Sequence, residues 1–101
     1  MKYGLNKEVI DKINSIFAKH SDIEKVILYG SRAKGNYKNG SDIDLTIVGK
    51  IELLHLHKIE NELDNLLLPY TLDLSVMSTI TSKELLEHIQ RVGVDFYERD
   101  V

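Results

Sequence analysis

The sequence predicts an α+β domain, with α/β-like order: a small mixed β-sheet carrying helices packed on it. Apolar residues recur at helical spacing in three stretches, two short segments alternate apolar and polar residues, and glycine-rich or Ser/Asn-rich turns separate them. No internal repeat, low-complexity segment or interdomain linker interrupts this order. The 101 residues leave room for one core, so a single domain over 1–101 is expected.

Between Leu5 and His20 the apolar residues Leu5, Val9, Ile10, Ile13, Ile16 and Phe17 form one helical stripe, and Lys7, Glu8, Asp11, Lys12 and Lys19 take the wet side. Lys25–Tyr29 reads as a short buried strand that Gly30-Ser31 ends abruptly. Residues 30–41 hold three of the six glycines together with Asn36, Asn39 and Ser41, which is turn chemistry, with one helical turn possible over 31–34. Residues 42–48 alternate: Ile43, Leu45 and Ile47 point one way, Asp42, Asp44, Thr46 and Val48 the other. Ile51–Leu68 predicts a helix with Leu53, Leu54, Leu56, Ile59, Leu63, Leu66 and Leu67 on one broad face, closed by Pro69, the only proline. Residues 71–77 alternate again, with Leu72, Leu74 and Val76 opposite Thr71, Asp73 and Ser75. A helix start at Thr81 or Ser82, supported by Glu84, runs to Gly93, and Val94–Arg99 is expected as a short edge strand.

Composition excludes several classes. Without cysteine there are no disulfides, thiolate metal sites or cysteine nucleophiles. The net charge of −3 argues against direct nucleic-acid binding, which favours basic surfaces. No stretch approaches the ~18 apolar residues of a membrane span, and residues 1–4 do not resemble a signal peptide. A cytoplasmic protein without membrane association is the expectation.

Asp42 and Asp44 lie two apart on a strand, so both side chains leave one face with Cα atoms roughly 6–7 Å apart. That spacing lets both carboxylates reach two divalent cations ~3.5–4 Å apart, as in two-metal phosphoryl transfer. If the strand holding Asp73 pairs alongside, a third carboxylate joins them. For an Asp-x-Asp alone, a solvated sheet face is the commoner outcome. Gly30-Ser31 changes the balance: a tight turn behind a buried strand, with free N–H groups and a hydroxyl, suits an anionic phosphate. Glycine there admits a phosphate close to the backbone, and Arg32 and Lys34 add positive charge.

Leu28-Tyr29-Gly30-Ser31-Arg32-Ala33-Lys34-Gly35, then Ser41-Asp42-Ile43-Asp44-Leu45, resembles the signature of the DNA polymerase β-type nucleotidyltransferase superfamily. Ten residues separate Gly-Ser from Asp-x-Asp, which is similar to its minimal nucleotidyltransferase (MNT) branch. The resemblance continues to a third aspartate in Leu72-Asp73-Leu74 and a closing helix. It implies the polymerase β-type nucleotidyltransferase fold, with Asp42, Asp44 and Asp73 as catalytic metal ligands for Mg²⁺, two ions in all. Asp73 would also take the acceptor's proton, Gly30 and Ser31 would bind the nucleotide, and Arg32 is a further candidate phosphate contact. The implied reaction is attack of an acceptor hydroxyl on the α-phosphate of ATP, releasing pyrophosphate.

So short a chain has no residues left for an acceptor domain, so the acceptor site would come from a partner in a hetero-oligomer. The MNT resemblance implies the antitoxin of a toxin–antitoxin pair, transferring AMP from ATP to a tyrosine of a helical HEPN-type ribonuclease toxin encoded nearby. Two rivals stay open: adenylylation of a small molecule with a helical partner, and a non-catalytic NTP-binding module that inhibits by contact, its acidity complementing a basic ribonuclease. Other residues carry weaker signals. His55 and His57 are two apart on a helix and diverge, so a solvated face is expected there. His20 and His88 read as capping or surface residues, Leu53–Leu67 as core or partner-facing, and Tyr37 as an exposed loop residue.

Overall fold

In the computed structural model, which describes residues 1–100, one four-stranded sheet organises the chain. Helix α1 (Lys7–Ala18) starts at Asn6, whose side chain accepts the Val9 amide at 2.9 Å and satisfies an otherwise free first-turn donor. Strand β1 (Ile23–Tyr29) leads into a single helical turn, α2 (Ser31–Lys34), then a loop, then β2 (Ile43–Gly49). Helix α3 (Leu53–Asp64) precedes β3 (Leu72–Val76), and a 3₁₀ turn over Met77–Thr79 precedes α4 (Lys83–Val92) and β4 (Val94–Glu98). Ser82 caps α4 by accepting the Leu85 amide at 3.2 Å.

The strand order is β3-β2-β1-β4; β1 runs antiparallel to β2 and β4, and β2 runs parallel to β3 with α3 as the crossover. The sheet is therefore mixed, as the sequence predicts. Register decides its two faces. Leu28 pairs with Leu45 and Leu45 with Leu74, while Val26 pairs with Ile47 and Ile47 with Val76. This face forms one core with Ile13, Ile16 and Phe17 of α1 and Ile59 and Leu63 of α3. Ile43, Leu45 and Ile47 are completely buried, each contributing on the order of 1.5–3 kcal/mol relative to an exposed position. Such alternation fixes the register, because a one-residue slip would turn these side chains out and the aspartates in.

The other face carries Tyr29, Asp44 and Asp73 in one row and Ile27, Thr46 and Ser75 in the next. Helix α4 covers its β1 side, with Gly93 lying over Ile27. Thr46 is buried on this face and accepts from the Ser75 hydroxyl at 2.9 Å, which satisfies both groups.

The structure corrects three boundaries. Strand β1 begins at Ile23, two residues earlier than the apolar run suggests, and β2 begins at Ile43, leaving Asp42 just outside the strand. Helix α3 ends at Asp64, so Leu66–Leu68 lie beyond it. The predicted broad leucine face splits: Leu63 is buried, while Leu53, Leu54 and Leu67 are 67%, 85% and 87% exposed.

Candidate functional site

The edges of three elements meet where β1 ends and β2 and β3 begin. Tyr29, the last residue of β1, is opposite Asp44, and Asp44 is opposite Asp73. The parallel pairing begins one step earlier, where the Ile43 amide donates to the Thr71 carbonyl at 2.9 Å. Asp44 is half-buried, and Asp42 and Asp73 are exposed. Asp73 thus joins Asp44 on the same side of the sheet, with the charge of Asp42 close enough to act on Asp44.

Gly30 has φ +76° and ψ −159°, a conformation open essentially to glycine alone. A Cβ there would overlap the Asp44 carboxylate, so the missing side chain lets Asp44 stand directly against the turn. Ser31 opens α2, whose first-turn N–H groups have no partner within the helix. The Gly30 amide donates to Nε2 of His88 on α4 at 3.0 Å, and the His88 ring packs edge-on against Tyr29 at 6.1 Å. His88 is therefore part of the site's frame and not the capping or surface residue its position suggests. No local pattern announces it, because its partner is 58 residues away.

Arg32 is a correction. The sequence offers it as a candidate phosphate contact or a surface cation, but it is buried, 2% exposed, with its guanidinium turned inward. Nε and Nη2 donate to the Ser41 carbonyl at 3.1 and 2.9 Å, and Nη1 donates to the Tyr3 carbonyl at 2.9 Å. The Tyr37 and Tyr70 rings lie 5.4 and 5.1 Å from its central carbon. Arg32 thus ties α2 to the residue just before Asp42 and to the loop just before β3. A planar donor fork satisfies several carbonyls at once, which explains how a permanent charge stays buried. Tyr37, read as a free loop residue, closes over this guanidinium.

Electrostatics singles out Asp44. Burial pushes its carboxyl above the ordinary range, and the neighbouring Asp73 and Asp42 push it further. Burial likewise raises the Tyr29 phenol; the Ser75 hydroxyl counters this, and Asp73 and Asp44 add to the rise. Both shifts report burial first and, after it, negative charge gathered with little compensation. The chemistry of this donor set fits a hard divalent cation such as Mg²⁺, which would replace the repulsion with attraction. Among the described residues no three His, Asp or Glu side chains close on a single point. That matches Mg²⁺ sites in which one or two carboxylates hold the ion and phosphates and water complete its shell. Surface hollows beside Lys7 and Ile10 and beside Lys25 and Glu98 lie elsewhere.

A second polar cluster links the turn after α1 to α3. His20, 8% exposed, faces His55 Nε2 through Nδ1 at 2.9 Å and Glu62 through Nε2 at 3.1 Å. His55 belongs to this bridge and not to the solvated face expected of it.

This mixed sheet with its flanking helices defines a nucleotidyltransferase fold. The chain belongs to the family described as Polymerase beta, Nucleotidyltransferase, whose model matches residues 11–101. A protein of Methanocaldococcus jannaschii named as a candidate protein adenylyltransferase is 40% identical over 47 residues, 46% of this chain and 47% of that protein. The alignment thus spans about half the length of that relative. Among solved structures, a chain of a toxin–antitoxin complex with AMP-PNP superposes with a TM-score of 0.70 at 19% identity, covering 95% of this chain and 76% of that one. A chain from a complex of tri-AMPylated Shewanella oneidensis HEPN toxin with MNT antitoxin gives 0.68 at 15% identity, covering 94% and 74%. At these identities the superpositions establish the fold.

Proposed function

We propose that this protein is a Mg²⁺-dependent protein adenylyltransferase of the antitoxin type, which transfers AMP from ATP to a tyrosine of a HEPN-type toxin and silences it. The observation that carries the reading is the row Tyr29–Asp44–Asp73, with Gly30 against Asp44 and Asp42 beside it. Family membership supplies the reaction class, and the toxin–antitoxin neighbours support the partner.

In this reading Asp42 and Asp44 would hold the Mg²⁺ that meets the triphosphate, Asp73 completes the site, and Gly30 and the Ser31 hydroxyl receive the triphosphate. Bound Mg²⁺ supplies neutralisation of the phosphate charge, including that of the departing pyrophosphate. Asp73, exposed at the edge of the row, accepts the proton of the acceptor hydroxyl. The hydroxyl oxygen bonds to the α-phosphorus as the bond to the bridging oxygen breaks, and pyrophosphate leaves. Alignment and charge placement account for most of the acceleration. Asp42 and Asp73 are exposed on either side of the half-buried Asp44, which suits an acceptor delivered by another protein.

The test is intact-mass spectrometry of the toxin after incubation with ATP and Mg²⁺, alongside its nuclease assay. Wild-type protein should add adenylate to the toxin and abolish cleavage. Asp73→Asn should keep most ATP affinity while transfer falls ~10²–10⁴-fold, as for loss of a general base. Full neutralisation by Asp73→Asn without a mass change would reject transfer in favour of contact inhibition.

A further inference from the structure

Gly30 is held in place from a distance. Its φ and ψ are strained for any other residue, its Cα abuts Asp44, and its amide, the only donor it has, is directed at α4. There it meets His88 Nε2 at 3.0 Å. An amide can only donate, so Nε2 is the acceptor of this bond. The ring is itself fixed edge-on at 82° to Tyr29, the residue before Gly30 and the partner of Asp44 in the sheet. The same imidazole therefore braces both neighbours of the Asp44 carboxylate. Without this acceptor the part-buried Gly30 amide would lose its partner, and the turn would be free to rotate away from Asp44.

We infer that His88 is a positioning residue for nucleotidyl transfer: its Nε2 anchors the Gly30 peptide and so sets the Gly-Ser turn against Asp44. This deepens the function proposed above and rests on it. It also gives α4 a role beyond covering the sheet, because the helix delivers one hydrogen-bond acceptor to a motif 58 residues away.

Two substitutions separate the anchor from simple packing. His88→Phe keeps an aromatic edge for Tyr29 and loses the acceptor; His88→Gln loses the ring and keeps an acceptor oxygen near the Nε2 position. If His88 positions Gly30, His88→Phe lowers kcat/KM for ATP in toxin adenylylation roughly tenfold to a hundredfold, in keeping with a misplacement of about 1 Å in the turn that receives the triphosphate. His88→Gln then recovers most of the rate even though it packs worse. Hydrogen exchange of the Gly30 amide, followed by NMR, should be slow in wild type and His88→Gln and fast in His88→Phe. The inference is overturned if His88→Phe transfers at the wild-type rate, if Gln is the more damaging change, or if activity follows thermal stability across the pair. Absence of transfer by wild-type protein given Mg²⁺, ATP and toxin would instead count against the proposed function. Amide exchange would then decide the anchor by itself, and equal protection in all three proteins would refute it.

Discussion

Replacing Arg32 distinguishes a buried strut from a phosphate contact. In Arg32→Ala the Ser41 and Tyr3 carbonyls lose charged donors at 2.9–3.1 Å, and the space between the Tyr37 and Tyr70 rings empties. Each buried acceptor left unsatisfied costs about 1–3 kcal/mol. Adding the lost packing, the change should destabilise the fold by about 3–5 kcal/mol, within the range for breaking a buried network. For a domain of this size each kcal/mol is about 4–8 °C, so Tm should fall by roughly 12 °C or more. Arg32→Lys keeps the charge but reaches fewer of the carbonyls, and should fall between the two. Thermal unfolding by circular dichroism without nucleotide reads the effect. A variant that melts within about 2 °C of wild type while losing ATP affinity would refute the strut and restore Arg32 as a phosphate contact.

Further consequences can be measured on the same protein. Gly30→Ala should cost about 1–3 kcal/mol in backbone strain alone and, by pushing the Asp44 carboxylate aside, abolish transfer in protein that is still folded; activity retained in soluble Gly30→Ala would contradict the close approach. Asp44→Asn should raise the metal-free Tm at neutral pH. The Asp44 pKa is raised in the fold, so its contribution is fully present below the ordinary carboxylate range and is lost as pH rises through the raised value; a neutral amide removes that loss. The gain should show as a higher midpoint of thermal unfolding, and added Mg²⁺ should narrow the difference. A lower Tm for Asp44→Asn in metal-free buffer at pH 7 would contradict the uncompensated charge.

The elements legible in the sequence are those specified by local pattern. The stripe from Leu5 to Phe17, the alternation through Ile43–Ile47 and the Gly30-Ser31 break all report neighbours within a few residues, and the structure repeats them. Parity along β2 also sets Asp44 opposite the apolar face, and a parallel register brings Asp73 beside it. What escaped depends on distant partners. Arg32 reads as a surface cation because nothing nearby in sequence reveals the Tyr3 and Ser41 carbonyls that hold it. His88 meets Gly30, and His20 meets His55 and Glu62, only after the helices dock. Leu53 and Leu54 fit a helical stripe by spacing, yet the core contact of α3 is made by Ile59 and Leu63, about two turns further on.

The central claim is that the aspartate row holds a metal–nucleotide complex. Calorimetry of AMP-PNP binding, with and without Mg²⁺, to wild-type protein and to Asp42→Asn/Asp44→Asn tests it most directly. Wild-type binding should require Mg²⁺, and the double variant, folded by circular dichroism, should lose it, because neutral amides hold a hard dication poorly. Unchanged Mg²⁺-dependent affinity in the double variant would place the nucleotide elsewhere and contradict the account.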